Sequence, residues 1–116
     1  MSQARREGYE RDWQRNFRRT PKGKRHVRAM NLKKYGLTPE QYEDMHERQN
    51  GQCASCGEPE RGRNQYGPLR LAVDHDHATG VVRGLLCMRC NRALGMLGDS
   101  AITIQRLLSY RHGVMT

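Results

Sequence analysis

Two cysteine pairs of identical spacing constrain this chain more than anything else in it: Cys53-Ala54-Ser55-Cys56 and, thirty residues later, Cys87-Met88-Arg89-Cys90. In a Cys-x-x-Cys turn two thiolates converge on one ion, and Gly57 after the first pair relieves the tight backbone that follows. Two such pairs together point to tetrahedral zinc held by Cys53, Cys56, Cys87 and Cys90, far more strongly than either pair alone. Two disulfides or buried free thiols are the alternatives. The opening Met1-Ser2-Gln3-Ala4-Arg5-Arg6 carries no apolar signal region, so a reducing, cytoplasmic setting is the expectation, and that favours zinc. Four thiolates leave no position for substrate, which makes the ion a structural staple supplying on the order of 10 kcal/mol of folding free energy. Only 35% of the 116 residues are hydrophobic, a fraction at which a small core usually needs one. No apolar run approaches the length of a membrane span.

Between the pairs lies Val73-Asp74-His75-Asp76-His77-Ala78-Thr79-Gly80, four ionisable side chains in a row. As core packing they would each have to be desolvated and paired at a cost of several kcal/mol, so a metal or phosphate site explains them better. Phosphodiester hydrolysis needs a base for water, a cation on the phosphate oxygens and donors around them. A histidine, with an ordinary pKa of about 6.5, suits the first role. Carboxylate and amide oxygens suit Mg²⁺ or Mn²⁺, whereas the soft thiolates suit zinc, so two separate metal chemistries are on offer. Leu71-Ala72-Val73 reads as a strand, His77–Gly80 as a turn, Val81-Val82-Arg83 as the returning strand, and Asn91 as the start of a helix to about Leu97. In a regular strand Asp74 and Asp76 would face one side and His75 and His77 the other, so the strand must end or bend near His75. Asp76 then has no catalytic part and is expected to bond a backbone donor or Arg83. Asn91 by itself could be a mere helix cap.

The positive charge is concentrated. Residues 1–34 hold twelve Lys/Arg against three Asp/Glu, a net +9, while residues 35–116 hold nine of each. The division is therefore a basic, helical arm at 1–34 with the footprint of a DNA-backbone binder, and a zinc-stapled domain at 35–116. A merely solvated tail is the plainer alternative for a charge run. In the arm, a helix over 3–19 aligns Tyr9, Trp13 and Phe17, a stripe that could pack on the domain, on a second subunit or on DNA. Thr20-Pro21-Lys22-Gly23 interrupts it, and residues 24–34 resume helix with Val27 and Met30 inward. Thr38-Pro39-Glu40-Gln41 has the form of a capping box opening a helix over 39–49 that Asn50-Gly51 stops. Residues 58–70 read as a surface loop, Met96 as core, and His26, His46 and His112 as solvated. Asp99-Ser100 caps a last helix over 101–111 whose apolar face, with Ile104, Leu107 and Leu108, would cover the domain or contact a second copy.

Asp74-His75-Asp76-His77, Thr79-Gly80, Val82–Cys87 and Cys90-Asn91, with the Cys53/Cys56 pair and the Tyr35-Gly36-Leu37-Thr38 lead-in, resemble the phage recombination endonuclease VII family of HNH, or ββα-metal, nucleases. The resemblance spans roughly residues 35–98. It implies a small α+β fold with a ββα-metal core, a four-cysteine zinc site and flanking helices. It also implies that Asp74 and Asn91 hold a catalytic Mg²⁺ or Mn²⁺, that His75 is the general base, that His77 contacts the phosphate, and that zinc sits among the four cysteines. Leu94 stands where junction-resolving members carry a glutamate, which leaves nicking and junction resolution both open. The expected activity is metal-dependent cleavage of double-stranded, branched or nicked DNA, in the host cytoplasm if the chain is phage-encoded. Cutting both strands would favour a symmetric homodimer. The alternative is a non-catalytic zinc-knuckle protein that binds DNA or a partner.

Overall fold

The computed structural model describes residues 2–114. The chain divides between Glu43 and Asp44 into two compact units, and the architecture is α+β.

The first unit is helical. α1 (Gln3–Arg19) and α2 (Pro21–Lys33) are joined by Thr20 alone. The interruption is thus shorter than the four residues anticipated, because Thr20 serves both helices. Its N–H and hydroxyl donate to the Phe17 carbonyl at 3.0 and 2.6 Å, and its hydroxyl oxygen accepts from the Gly23 N–H at 3.0 Å. Pro21 then occupies the first helical position, where a missing N–H costs nothing. Gly23 is buried at this corner, and a Cβ placed there would lie 1.7 Å from the Phe17 carbonyl oxygen. Only glycine permits so close an approach. Leu32 and Tyr42 are buried, with the Arg28 guanidinium 4.4 Å above the Tyr42 ring and paired to Glu43 at 2.9 Å. Met30, expected inward, is exposed, and Leu32 takes the inner position instead.

α3 (Pro39–Arg48) opens on the anticipated capping box. The Gln41 N–H donates to the Thr38 hydroxyl at 3.1 Å, and the Thr38 N–H donates to the Gln41 side-chain oxygen at 2.8 Å. The stop also falls as expected, with Asn50 and Gly51 both at positive φ. The segment read as loop contains a small hairpin, β1 (Arg63–Asn64) against β2 (Gly67–Pro68). Its turn is closed by the Tyr66 N–H donating to the Asn64 side chain at 2.8 Å.

β3 (Ala72–His75) and β4 (Val82–Leu86) form the antiparallel hairpin, and α4 (Met88–Met96) packs against both. The small core consists of Leu71, Leu85, Leu86 and two of the cysteines, Cys53 and Cys87. The groups of Leu85 that point away from β3 are paired too. The Gln49 side-chain amide donates to the Leu85 carbonyl and accepts from its N–H, both at 3.0 Å, and the Ala54 N–H donates to the same carbonyl at 3.0 Å. A single glutamine thus stands in for a neighbouring strand and ties the first cysteine turn to the hairpin.

α5 (Ala101–Arg111) is capped by Ser100, whose hydroxyl accepts from the Thr103 N–H. Two expectations fail here. Ile104, Leu107 and Leu108 remain exposed, so α5 does not bury its apolar face on the domain. Met96 is 87% exposed rather than core, because the core is filled by the hairpin and the cysteines.

Candidate metal centre and hairpin site

The four cysteines converge. Their sulfurs all lie within 4.8 Å of one another, and the Cys56 and Cys87 sulfurs are 3.8 Å apart. Tetrahedral zinc with bonds of about 2.3 Å separates its sulfur ligands by about 3.8 Å, so the cluster fits that ion. Each turn folds back on its own first thiol: the Ser55 N–H donates to Cys53 Sγ and the Cys90 N–H to Cys87 Sγ, both at 3.4 Å. Cys87 is also the N-cap of α4, so the partial positive charge of the helix start faces its sulfur.

The thiols of the cluster differ in how readily they ionise. Burial works against ionising Cys53, but N–H donors at Cys56, Cys87 and Ser55 and the Cys56 thiol outweigh it and lower the Cys53 pKa from 9.0 to about 6. Burial, then hydrogen bonding with Cys87, Cys56 and Cys53, pushes Cys90 up from 9.0 to about 12. One thiol ionises readily and the last resists, because burial and then its hydrogen bonds with the other three sulfurs favour its neutral form. A divalent ion bound among them would let all four be thiolates together. The Arg89 guanidinium bonds Cys56 and is raised by that contact and by the neighbouring sulfurs.

At the hairpin the anticipated bend is present as a bulge. Asp74 pairs with Gly84 but His75 pairs with Val82, so Arg83 is the extra residue and the register breaks between Asp74 and His75. The bulge aims Arg83 back across the hairpin. Its Nε and Nη2 donate to the two Asp74 carboxylate oxygens at 2.8 and 3.0 Å, and Nη1 donates to Asp99 at 3.0 Å. Nη2 also reaches the His75 carbonyl at 3.3 Å. Asp74, first, and Asp99 raise the Arg83 pKa further above its already high ordinary value. Asp74 is 9% exposed, so its charge is buried but compensated in a bidentate pair.

The other residues of the row take unequal places. The His75 and His77 rings lie 4.9 Å apart at 59°, with His75 half-buried and His77 exposed. Asp76 turns away from them, and its carboxylate accepts from the Ala78 and Thr79 N–H groups at 2.8 and 3.1 Å. Those bonds, Thr79's first, hold its pKa below the usual carboxylate value. This is the backbone-bonding role expected of it. Asn91 is not a helix cap: α4 begins at Met88, three residues earlier than expected, and Asn91 sits one turn in, half-exposed, its N–H donating to the Cys87 carbonyl at 2.9 Å. Because α4 packs on β3 and β4, the second cysteine pair and Asn91 share the helix that covers the hairpin.

Three residues to which the sequence reading gave no part in the site complete the arrangement. Gln49 pairs with Leu85 as described. Glu60 reaches the start of α4, accepting from the Met88 N–H at 2.6 Å and the Gly62 N–H at 2.8 Å. The Met88 bond is the main reason its pKa is lowered. Asp99 follows Gly98 after α4 with a positive φ of 53°, and its carboxylate goes to Arg83 rather than to the start of α5. His26 meets the Phe17 ring edge-on at 6.2 Å. Among the described residues, no histidine joins the cysteine cluster.

The model of the recombination endonuclease VII family matches residues 28–113, which include both cysteine pairs, the hairpin, α4 and α5. The chain belongs to the recombination endonuclease VII family. Two curated phage relatives are similar to it: the Gene 59 protein of Mycobacterium phage D29, 44% identical over 80 residues, and the Gene 59 protein of Mycobacterium phage L5, 41% identical over 80 residues. Those alignments cover 68% of this chain and 46% of each relative, so this endonuclease VII family member spans about half the length of the curated relatives it matches. No solved structure matches it. Among the described residues, no helix is long and apolar enough to cross a membrane.

Proposed function

We propose that this endonuclease VII family member is a divalent-metal-dependent DNA endonuclease of the HNH type. His75 is its general base and Asp74 and Asn91 are its metal ligands. The observation that carries the reading is the bulge between Asp74 and His75, which gives two adjacent residues of one strand different surroundings: a compensated carboxylate and a half-buried imidazole beside a second, exposed one.

The donor set fits a hard cation. Arg83 donates one bond to each Asp74 oxygen, and a carboxylate oxygen has a second lone-pair site for a metal. The Asn91 amide adds a neutral oxygen, and neither group is a soft ligand suited to zinc. An Mg²⁺ or Mn²⁺ ion bound there would neutralise charge on the phosphate and on the departing 3′ oxygen. The protein's own part begins at His75, which accepts a proton from the attacking water. His77, exposed beside it, donates to a phosphate oxygen. Arg83 holds the Asp74 carboxylate in place with two bonds, and its further bond to Asp99 fixes Arg83 in turn. Cys53, Cys56, Cys87 and Cys90 would hold zinc, and because the first cysteine turn is bonded to β4 and Cys87 caps α4, that ion would help keep the hairpin and the Asn91 helix together.

The substrate under this reading is DNA in the host cytoplasm, double-stranded with a nick or branch, and the basic residues 1–34 add sequence-independent affinity. Cutting both strands would favour a symmetric dimer, for which the uncovered apolar face of α5 offers a surface. Incubating supercoiled plasmid with Mg²⁺ or Mn²⁺, with chelator, and with the Asn91→Ala protein tests the assignment. Metal-dependent nicking lost on substitution is expected. Tight, salt-sensitive binding without cutting in any divalent metal would instead identify a non-catalytic DNA-binding protein.

A further inference from the structure

The composition of α1 is unusual for a helix that packs on protein. All three of its large apolar side chains, Tyr9, Trp13 and Phe17, are aromatic, and it contains no leucine, isoleucine, valine or methionine. Helices that pair with other helices carry aliphatic residues along such a stripe. All six of its basic residues are arginines, with no lysine. None of its residues is buried; Tyr9 is 67% and Trp13 59% exposed.

Two of the three rings are buttressed. Trp13 and Phe17 lie parallel within 3° at 5.5 Å, and His26 of α2 meets Phe17 edge-on at 6.2 Å. Phe17 is thus anchored, Trp13 leans on it, and Tyr9 stands one turn further out. Arg5 and Arg6, four and three residues before Tyr9, lie on the same side of the helix. We propose that this face of α1 is a stacking platform for unpaired DNA bases, with Trp13 and Tyr9 taking bases and the neighbouring arginines taking phosphates.

This rests on the reading of the substrate as DNA. Flat rings exposed among guanidinium groups are what sequence-tolerant single-strand binders present, because every base has a π-face and every nucleotide a phosphate. An apolar protein partner would have to desolvate those arginines, whereas a polyanion is complementary to them. The platform would direct the enzyme to DNA with unpaired nucleotides.

Trp13 is the only tryptophan in the chain, so its own fluorescence reports the contact. The zinc-loaded full chain carrying His75→Ala, without added Mg²⁺ or Mn²⁺ so that nothing is cut, would be titrated with oligo(dT) and with a blunt duplex of equal nucleotide content. Affinities would be read in parallel by anisotropy. Oligo(dT) should quench Trp13 strongly and the duplex little. Adding Trp13→Ala should weaken oligo(dT) binding roughly ten- to a hundredfold, the loss of about one stacked base, while duplex affinity changes by less than about threefold. Trp13→Phe should restore most of the loss. Unquenched oligo(dT) binding, equal quenching by duplex, or an unchanged Trp13→Ala affinity would each overturn the platform. Because binding is read without cleavage, none of these outcomes depends on whether the hairpin cuts DNA.

Discussion

Replacing Gln49 with leucine is the most informative perturbation of the fold, because the glutamine's role is visible only in three dimensions. Leu85 is 0% exposed, and its N–H donates to the Gln49 side-chain oxygen at 3.0 Å. The substitution keeps size and shape but leaves that buried N–H without an acceptor, at about 1–3 kcal/mol. The Leu85 carbonyl suffers less, because the Ala54 N–H still donates to it at 3.0 Å. The Gln49 bond to the Gln52 carbonyl at 2.8 Å is also lost, worth about 1 kcal/mol in an exposed setting. Together these give about 2–4 kcal/mol, partly offset by the added apolar surface. Urea unfolding of zinc-loaded, reduced protein would measure it, with metal concentration held fixed so that linkage does not mask the difference. Hydrogen exchange at the Leu85 amide should quicken in step. A Gln49→Leu protein within about 0.5 kcal/mol of wild type, with Leu85 still protected, would refute the idea that this side chain replaces a strand.

Glu60→Gln should cost about 1 kcal/mol, as expected for a lost charge at a helix start. Since the folded pKa of Glu60 lies below 4.5, its contribution is present above that pH and disappears as pH falls through the lowered value. The gap between wild type and Glu60→Gln in urea midpoints should accordingly close on acidification. Gly23→Ala should open the α1–α2 corner at a cost of about 1–3 kcal/mol or more, because the added Cβ meets a backbone carbonyl at 1.7 Å and no side chain can yield; thermal melts followed by circular dichroism would detect it. Zinc binding to the reduced, metal-free cluster should release protons at pH 7, since Cys90 is pushed up to about 12 in the absence of metal. Calorimetry in buffers of different ionisation enthalpy would count them. Cys87→Ser should unfold the zinc-bearing unit, whereas His75→Ala should leave it folded.

What the sequence made legible was local or repetitive. The capping box at Thr38–Gln41, the stop at Asn50-Gly51, the extents of α1 and α5 and the cysteine pairs are all set by residues within a few positions of one another. The bend near His75 was also legible, because strand alternation would otherwise have parted its two kinds of side chain. Gln49 and Glu60 were not, since their partners lie 36 and 28 residues away and neither side chain belongs to a recognisable spacing. Asp99 was misread as a cap because Asp-Ser before a helix is ordinary cap chemistry; Arg83, sixteen residues earlier, claims it. Met96 was assigned to the core by apolar character and the α5 face to the domain or a second copy by its helical spacing, yet the hairpin, Leu71 and the cysteines already fill the core.

The central claim, that the hairpin is a nuclease site held by a thiolate-bound metal, meets its most direct test in the cleavage rate of His75→Ala. Zinc-loaded variant, shown by circular dichroism to be folded, would be compared with wild type on supercoiled plasmid at saturating Mg²⁺ or Mn²⁺. Loss of a general base should lower the rate by about 10²–10⁴-fold while zinc content and DNA affinity stay unchanged. A folded, zinc-loaded His75→Ala protein that nicks at the wild-type rate would contradict the account.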